Sequence, residues 1–226
     1  MFHTCFLIGY VPERLVVSIF VLGKRAKTAS FTSMAASPSF DLNHGTLAAT
    51  PRFAEIAEPL GELSPIDSEE SFNHYCREAC RLWTGQFRKP IGQTSEQFTN
   101  LLAQIERRSH QVMKTDWGGV VVTRHEPPQV ERWLIIEQGA YFALEMHEQK
   151  DERLEVKEGA GLIVWRRMAD QPLAVQALAP GGEFHLEPGK EHCLIATENL
   201  LVFERSLEPK GMDQDLIFIY EPDGAS

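Results

Sequence analysis

The stretch Gly139–Gly159, GAYFALEMHEQKDERLEVKEG, decides how this chain is read. Glu145 and His147 stand two apart in it. An extended strand therefore points both side chains to one face, where they can share one ion. A polar turn from Glu148 to Asp151 separates them from Glu152. Tyr141 has the inward phase of Glu145 and is a candidate pocket wall, although an aromatic on a strand is more often core.

On either side of this stretch the hydrophobic period is two. Short β-rich runs (Val120 to Thr123, Trp133 to Ile136, Tyr141 to Met146, Leu162 to Trp165, Leu200 to Phe203, Leu216 to Tyr220) are separated by Gly and Pro turns. Many short strands of this kind predict a sandwich or a closed barrel. His192 falls on a later strand, after the turn Pro188-Gly189-Lys190-Glu191. Glu145, His147, Glu152 and His192 can then converge only if the sheet folds back on itself. No internal repeat is evident.

The spacing Gly139-(five)-Glu145-(one)-His147-(four)-Glu152-(six)-Gly159 resembles the first motif of the cupin superfamily, and Gly182-(five)-Pro188-Gly189-(two)-His192 resembles the second. Within that superfamily the chain looks most like the barrel of type II mannose-6-phosphate isomerases. The matching positions are Trp117-Gly118, Glu145-Met146-His147 and the late acidic segment Asp213-Gln214-Asp215-Leu216-Ile217. The resemblance covers about half the chain. Departures are Glu145 in place of a His, Pro188-Gly189 in place of Pro-x-Gly, and Ala196 where an Asn is common. Lys150 and Gln149 stand where that isomerase family has Arg and His, and Phe218 replaces an Arg.

The resemblance implies a mostly β protein with a single jelly-roll-like cupin barrel over residues 114–226. It implies one divalent metal held by Glu145, His147, Glu152 and His192. Two imidazoles and two carboxylates suit Mn, Fe, Co or Zn. Two carboxylates also neutralise the ion, which favours substrate chelation over metal-hydroxide hydrolysis. The expected activity is isomerisation of a sugar or sugar phosphate, with Glu204 or Lys150 as the proton-transfer group; His185 is expected to be a non-ligand. The alternatives are a non-haem iron dioxygenase and a non-catalytic module that binds a small ligand. The same resemblance implies a homodimer.

The barrel has a helical preface, residues 64–113. Phe72, Tyr75, Cys76, Ala79, Leu82 and Trp83 recur at helical spacing behind Asp67-Ser68-Glu69-Glu70, with Gly85 as the expected end. A capping box at Thr94 to Gln97 opens a second helix carrying Phe98, Leu101, Leu102 and Ile105. Residues 1–63 are expected to be a disordered arm, with Met34 as an alternative start and Ala35 to Pro65 a Ser-, Pro- and Ala-rich linker. The apolar run Leu15 to Leu22 is too short to span a membrane. Its flanks are opposite to those of a secretory signal.

A net charge of −10 argues against a nucleic-acid partner. The four cysteines form no CxxC pair and are expected to be reduced, with Cys193 buried in packing. A cytoplasmic protein with a small, carbohydrate-like substrate and no membrane partner is the resulting expectation.

Overall fold

In the computed structural model, residues 5–11, 14–20, 39–86, 94–107 and 111–223 are described, the first two segments for their backbone only. Two compact units are present, Met1–Pro38 and Ser39–Ser226. In the first, strands β1 (Cys5–Val11) and β2 (Arg14–Phe20) form an antiparallel hairpin. The hairpin lies within the segment expected to be a disordered arm, and the Val and Ile residues of Arg14–Phe20 suit a strand. Residues 21–38, including the alternative start at Met34, lie outside the described residues.

The second unit begins earlier than the sequence pattern suggests. Residues 39–63, expected as part of the arm, contain β3 (Leu42–Asn43), α1 (Gly45–Ala48) and α2 (Ala54–Gly61). Phe40, Leu47, Phe53, Ile56 and Leu60 are fully buried. Phe53, Ile56, Ala57 and Leu60 follow helical spacing. Pro59, which lies inside α2, disguised them. The hydrogen bond that proline removes is offset by the buried face.

Next come α3 (Glu69–Gln86) and α4 (Glu96–Glu106). Helix α3 runs through Gly85, the expected stop. The N-cap of α4 is Ser95 rather than Thr94, because the Ser95 hydroxyl accepts the Phe98 N–H at 3.0 Å while donating to Glu158 at 2.5 Å. No helix among the described residues is long and apolar enough to cross a membrane.

The remainder is β4 (Val112–Thr115), β5 (Gly118–Glu126), β6 (Gln129–Ile136), β7 (Leu144–His147), β8 (Asp151–Glu158), β9 (Gly161–Arg166), β10 (Leu173–Leu178), β11 (Glu183–Leu186), β12 (Glu191–Ala196), β13 (Leu200–Leu207) and β14 (Leu216–Tyr220). These strands form two six-stranded sheets, ordered β14-β7-β12-β9-β10-β3 and β11-β8-β13-β6-β5-β4. The pairings are antiparallel except β10 with β3. The expected closed barrel is therefore an open two-sheet, cupin-like sandwich: among the described residues, backbone ladders join strands within each sheet but not across the two. Val120, Leu134, Leu154 and Val202 from one sheet and Ile163 and Leu194, opposite one another in the other, share one core.

Helices cover the outer faces. Helix α3 packs on β12, with the Cys80 sulfur 3.6 Å from the Ala196 carbonyl, so Cys193 and Ile195 are buried on the outward side while His192 and Leu194 face inward. Helix α4 lays Phe98, Leu101 and Ile105 over Val121, Ile135 and Leu201 of the other sheet. Gly159 turns β8 into β9 at φ 82°, and a side chain there would run into the Asn199 carbonyl.

Because residues 39–63 supply fully buried apolar side chains, Leu47→Ala or Ile56→Ala should each cost about 2–5 kcal/mol of unfolding free energy, read from urea denaturation followed by circular dichroism. A disordered arm would leave both variants at wild-type stability.

Candidate functional site

Three features of the topology build the site. In one sheet, β7 and β12 pair so that Glu145 lies opposite His192, with His147 one inward position further along β7. In the other, β8 carries Glu152 and β13 pairs with β6 so that Glu204 lies opposite Arg132. The connection from β7 to β8 crosses between the sheets and carries Lys150. Asp215 ties this turn down, its Oδ2 accepting the backbone N–H groups of Gln149 at 2.7 Å and Lys150 at 2.9 Å.

Both histidines are oriented by their Nδ1 atoms. His147 Nδ1 lies 2.9 Å from Asp215 Oδ1, and His192 Nδ1 lies 3.1 Å from the Lys190 carbonyl. A carboxylate and a carbonyl only accept, so each Nδ1 carries a proton and each Nε2 is turned into the site. His192 Nε2 is 3.1 Å from Glu152 Oε1 and 4.0 Å from Glu145 Oε1. The two rings stand 6.3 Å apart.

Lys150 lies among these groups, its side chain 1% exposed. Its Nζ is 2.7 Å from Glu152 Oε2, 3.0 Å from Glu204 Oε1, 3.4 Å from Asp213 Oδ1 and 3.5 Å from His147 Nε2. Behind it, Arg132 donates to Glu204 at 2.8 Å and grips Asp213 with two bonds, 2.5 and 2.9 Å. Asp213 adopts φ 52°, a left-handed conformation costly for a residue with a side chain. The Arg132 fork and an N–H bond from Asp213 to Glu208 at 2.7 Å hold it there.

The electrostatics follow from burial and these partners. Burial pushes the Glu145 carboxyl up to about 7, with His192 and Lys150 pulling against it. Burial also depresses His147, and the Lys150 ammonium adds to the effect, keeping the ring neutral. For His192, burial lowers the pKa, but the Glu152 carboxylate outweighs it and leaves a raised value. Burial would raise Glu152, yet Lys150 and His192 hold it well below the usual carboxylate range. Lys150 itself is raised despite burial, because Glu152 and Glu204 surround it. It carries a permanent charge at neutral pH.

Of the residues singled out in the sequence, Glu145, His147, Lys150, Glu152, His192 and Glu204 are thus brought together. Tyr141 is core: its hydroxyl donates to Asn73 at 2.8 Å and its ring meets Phe72 edge-on. His185 turns away to Asp151 at 2.9 Å. The sequence reading did not assign roles to Arg132, Asp213 and Asp215. The acidic segment around Asp213 was visible, but its partners lie more than sixty residues away along the chain in β6 and the β7–β8 turn.

Among the described residues, no three His, Cys, Asp or Glu side chains already form a group that could hold a metal. The donor chemistry nonetheless fits a divalent ion: two inward Nε2 atoms, one of them on a neutral ring, and two carboxylates. His192 Nε2 lies 3.1 Å from Glu152 and 4.0 Å from Glu145, while His147 Nε2 faces the Lys150 ammonium at 3.5 Å.

The site thus spans two sheets of a β-sandwich, with β7 and β12 paired in one and β8 in the other. No family model matches the chain, and no curated protein does. Similar solved structures include the capsular polysaccharide assembling protein CapF from Staphylococcus aureus, at 17% identity and TM-score 0.43, covering 48% of this chain and 34% of CapF. The chain thus spans about a third of CapF. KdgF from Halomonas sp. is similar at 19% identity and TM-score 0.38, covering 45% of this chain and 90% of KdgF. Cellulomonas parahominis L-ribose isomerase is similar at 12% identity and TM-score 0.40, covering 47% and 70%.

Two measurements test the charge network. Lys150→Met leaves the buried Glu152 and Glu204 and the half-buried Asp213 with one cation fewer, and should cost about 3–5 kcal/mol of unfolding free energy. Arg132 and burial act oppositely on Asp213, and Arg132 with Lys150 prevails, holding its carboxyl below the ordinary 3.8. A depressed carboxyl stabilises the native state above its unfolded-state value and loses that contribution as pH falls through the folded value. Asp213→Asn should therefore flatten the decline of the urea midpoint below about pH 4.

Proposed function

We propose that the protein is a metal-dependent cupin acting on a small polyhydroxylated molecule, of the aldose–ketose isomerase type. The observation that carries this reading is the preset orientation of two buried histidines. His147 and His192 each commit Nδ1 to a fixed acceptor; Nε2 of His192 is turned toward Glu152 and Glu145, and Nε2 of His147 toward Lys150. Metal-ligating histidines are commonly oriented in this way, through a hydrogen bond from the second ring nitrogen.

In this reading Glu145, His147, Glu152 and His192 hold one divalent ion of the Mn, Fe, Co or Zn type. When bound, the ion would supply positive charge to neighbouring substrate oxygens as a proton moves between their carbons. The chain's own residues do the rest. Lys150 Nζ stays protonated beside the site and can donate a hydrogen bond or a proton to an oxygen that gains charge. Glu204 touches Arg132 and Lys150 rather than the open side of the site, so it acts as a positioning residue that holds the ammonium in place. Glu145, at the more exposed edge, sets the boundary between the ion and the substrate.

Elemental analysis of protein purified without a histidine tag, after reconstitution with excess Mn, Fe, Co or Zn, tests this reading. About one ion per chain is expected in the wild type, and His147→Ala and His192→Ala, checked for folding, should both lose it. A wild type that takes up no ion under any of these conditions would remove the metal-dependent reading. Strict iron dependence with oxygen uptake would redirect it to the dioxygenase class.

A further inference from the structure

The Lys150 ammonium stands in contact with four donors drawn from four segments: His147 on β7, Glu152 on β8, Glu204 on β13 and Asp213 after it. Two of the four belong to the set assigned above to a divalent ion. A side-chain ammonium with three carboxylates and an imidazole around it is itself a coordinated cation, held by charge rather than by covalent bonds. Its position leaves His147 Nε2 committed to Lys150 at 3.5 Å instead of to the point shared by Glu145, Glu152 and His192.

We propose that Lys150 is an internal competitor for this site, so that a divalent ion enters by exchange: the ammonium releases His147 Nε2 and draws back onto Glu204 and Asp213. This inference rests on the metal-dependent reading above. The geometry supplies the retreat, because Glu204 Oε1 and Asp213 Oδ1 already lie 3.0 and 3.4 Å from Nζ and are anchored by Arg132. Glu152 needs no rearrangement: Lys150 takes its Oε2, while Oε1 faces His192. The device would keep two buried carboxylates and an imidazole satisfied without metal, and it would set metal affinity below what the donor set alone gives, since like charges close together in a low-dielectric site repel.

The test is titration of full-length protein with Mn2+ alone, following free Mn2+ by electron paramagnetic resonance, for the wild type, Glu204→Gln and the double variant Lys150→Met/Glu204→Gln. The double variant removes one positive and one negative charge together and so preserves the local balance that Lys150→Met alone destroys. It should bind one Mn2+ more than about ten-fold tighter than the wild type, while Glu204→Gln, which keeps the ammonium, should not gain. Equal affinity in the wild type and the double variant would overturn the competitor role and leave the metal site standing. A gain in Glu204→Gln equal to that of the double variant would also overturn it. No binding by any of the three would overturn the competitor role together with the metal-dependent reading. If the double variant does not fold, wild-type protein labelled with 15N-lysine is titrated with Zn2+. Uptake that shifts the Lys150 Nζ resonance supports exchange, and uptake that leaves it unmoved refutes it.

Discussion

A full positive charge at Lys150 lies almost completely out of water, and carboxylates must be brought to it. Glu152 comes from β8, Glu204 from β13 and Asp213 from the turn before β14, and together they compensate that charge in the interior. Arg132 completes the network from β6 and takes two of the same carboxylates. The site is therefore tied to the register of β6, β8 and β13, because a slip of one residue would turn Arg132 and Glu204 to the other face.

The second constraint is burial on both faces of the sheet that carries the histidines. Strand β12 has α3 on one side and the shared core on the other, which is why His192 and Cys193, neighbours in sequence, are both buried yet face different surroundings. Cys193 meets the helix side, its sulfur 3.3 Å from the Phe142 carbonyl, while His192 meets Glu152. The helices thus position the site indirectly. They remove the outer face of the sheet from water, so the inner face can be polar without the sandwich losing its hydrophobic driving force.

Much of the candidate site was legible in the sequence. Period-two alternation put Glu145 and His147 on one face, and the spacing to Glu152 and His192 survived folding as a real convergence. The helical preface was equally legible, since Phe72, Tyr75, Cys76, Ala79 and Trp83 face inward on α3 as their spacing requires. The segment 39–63 was not legible. Its helices are short and one contains Pro59, so local propensity argued against structure that only contact with β10 and α3 stabilises.

The sequence by itself determined the class of fold and the identity of the inward residues, because side-chain direction in a strand is a local property with a fixed period. Tertiary structure alone decided what those residues do to one another. Whether Lys150 is a solvated surface charge or a buried cation depends on three carboxylates that lie 2, 54 and 63 residues further along the chain. Likewise, the protonated nitrogen of His147 is set by Asp215, 68 residues away. Charge and tautomer are fixed by what lies within about 4 Å, and distance along the chain carries no information about that.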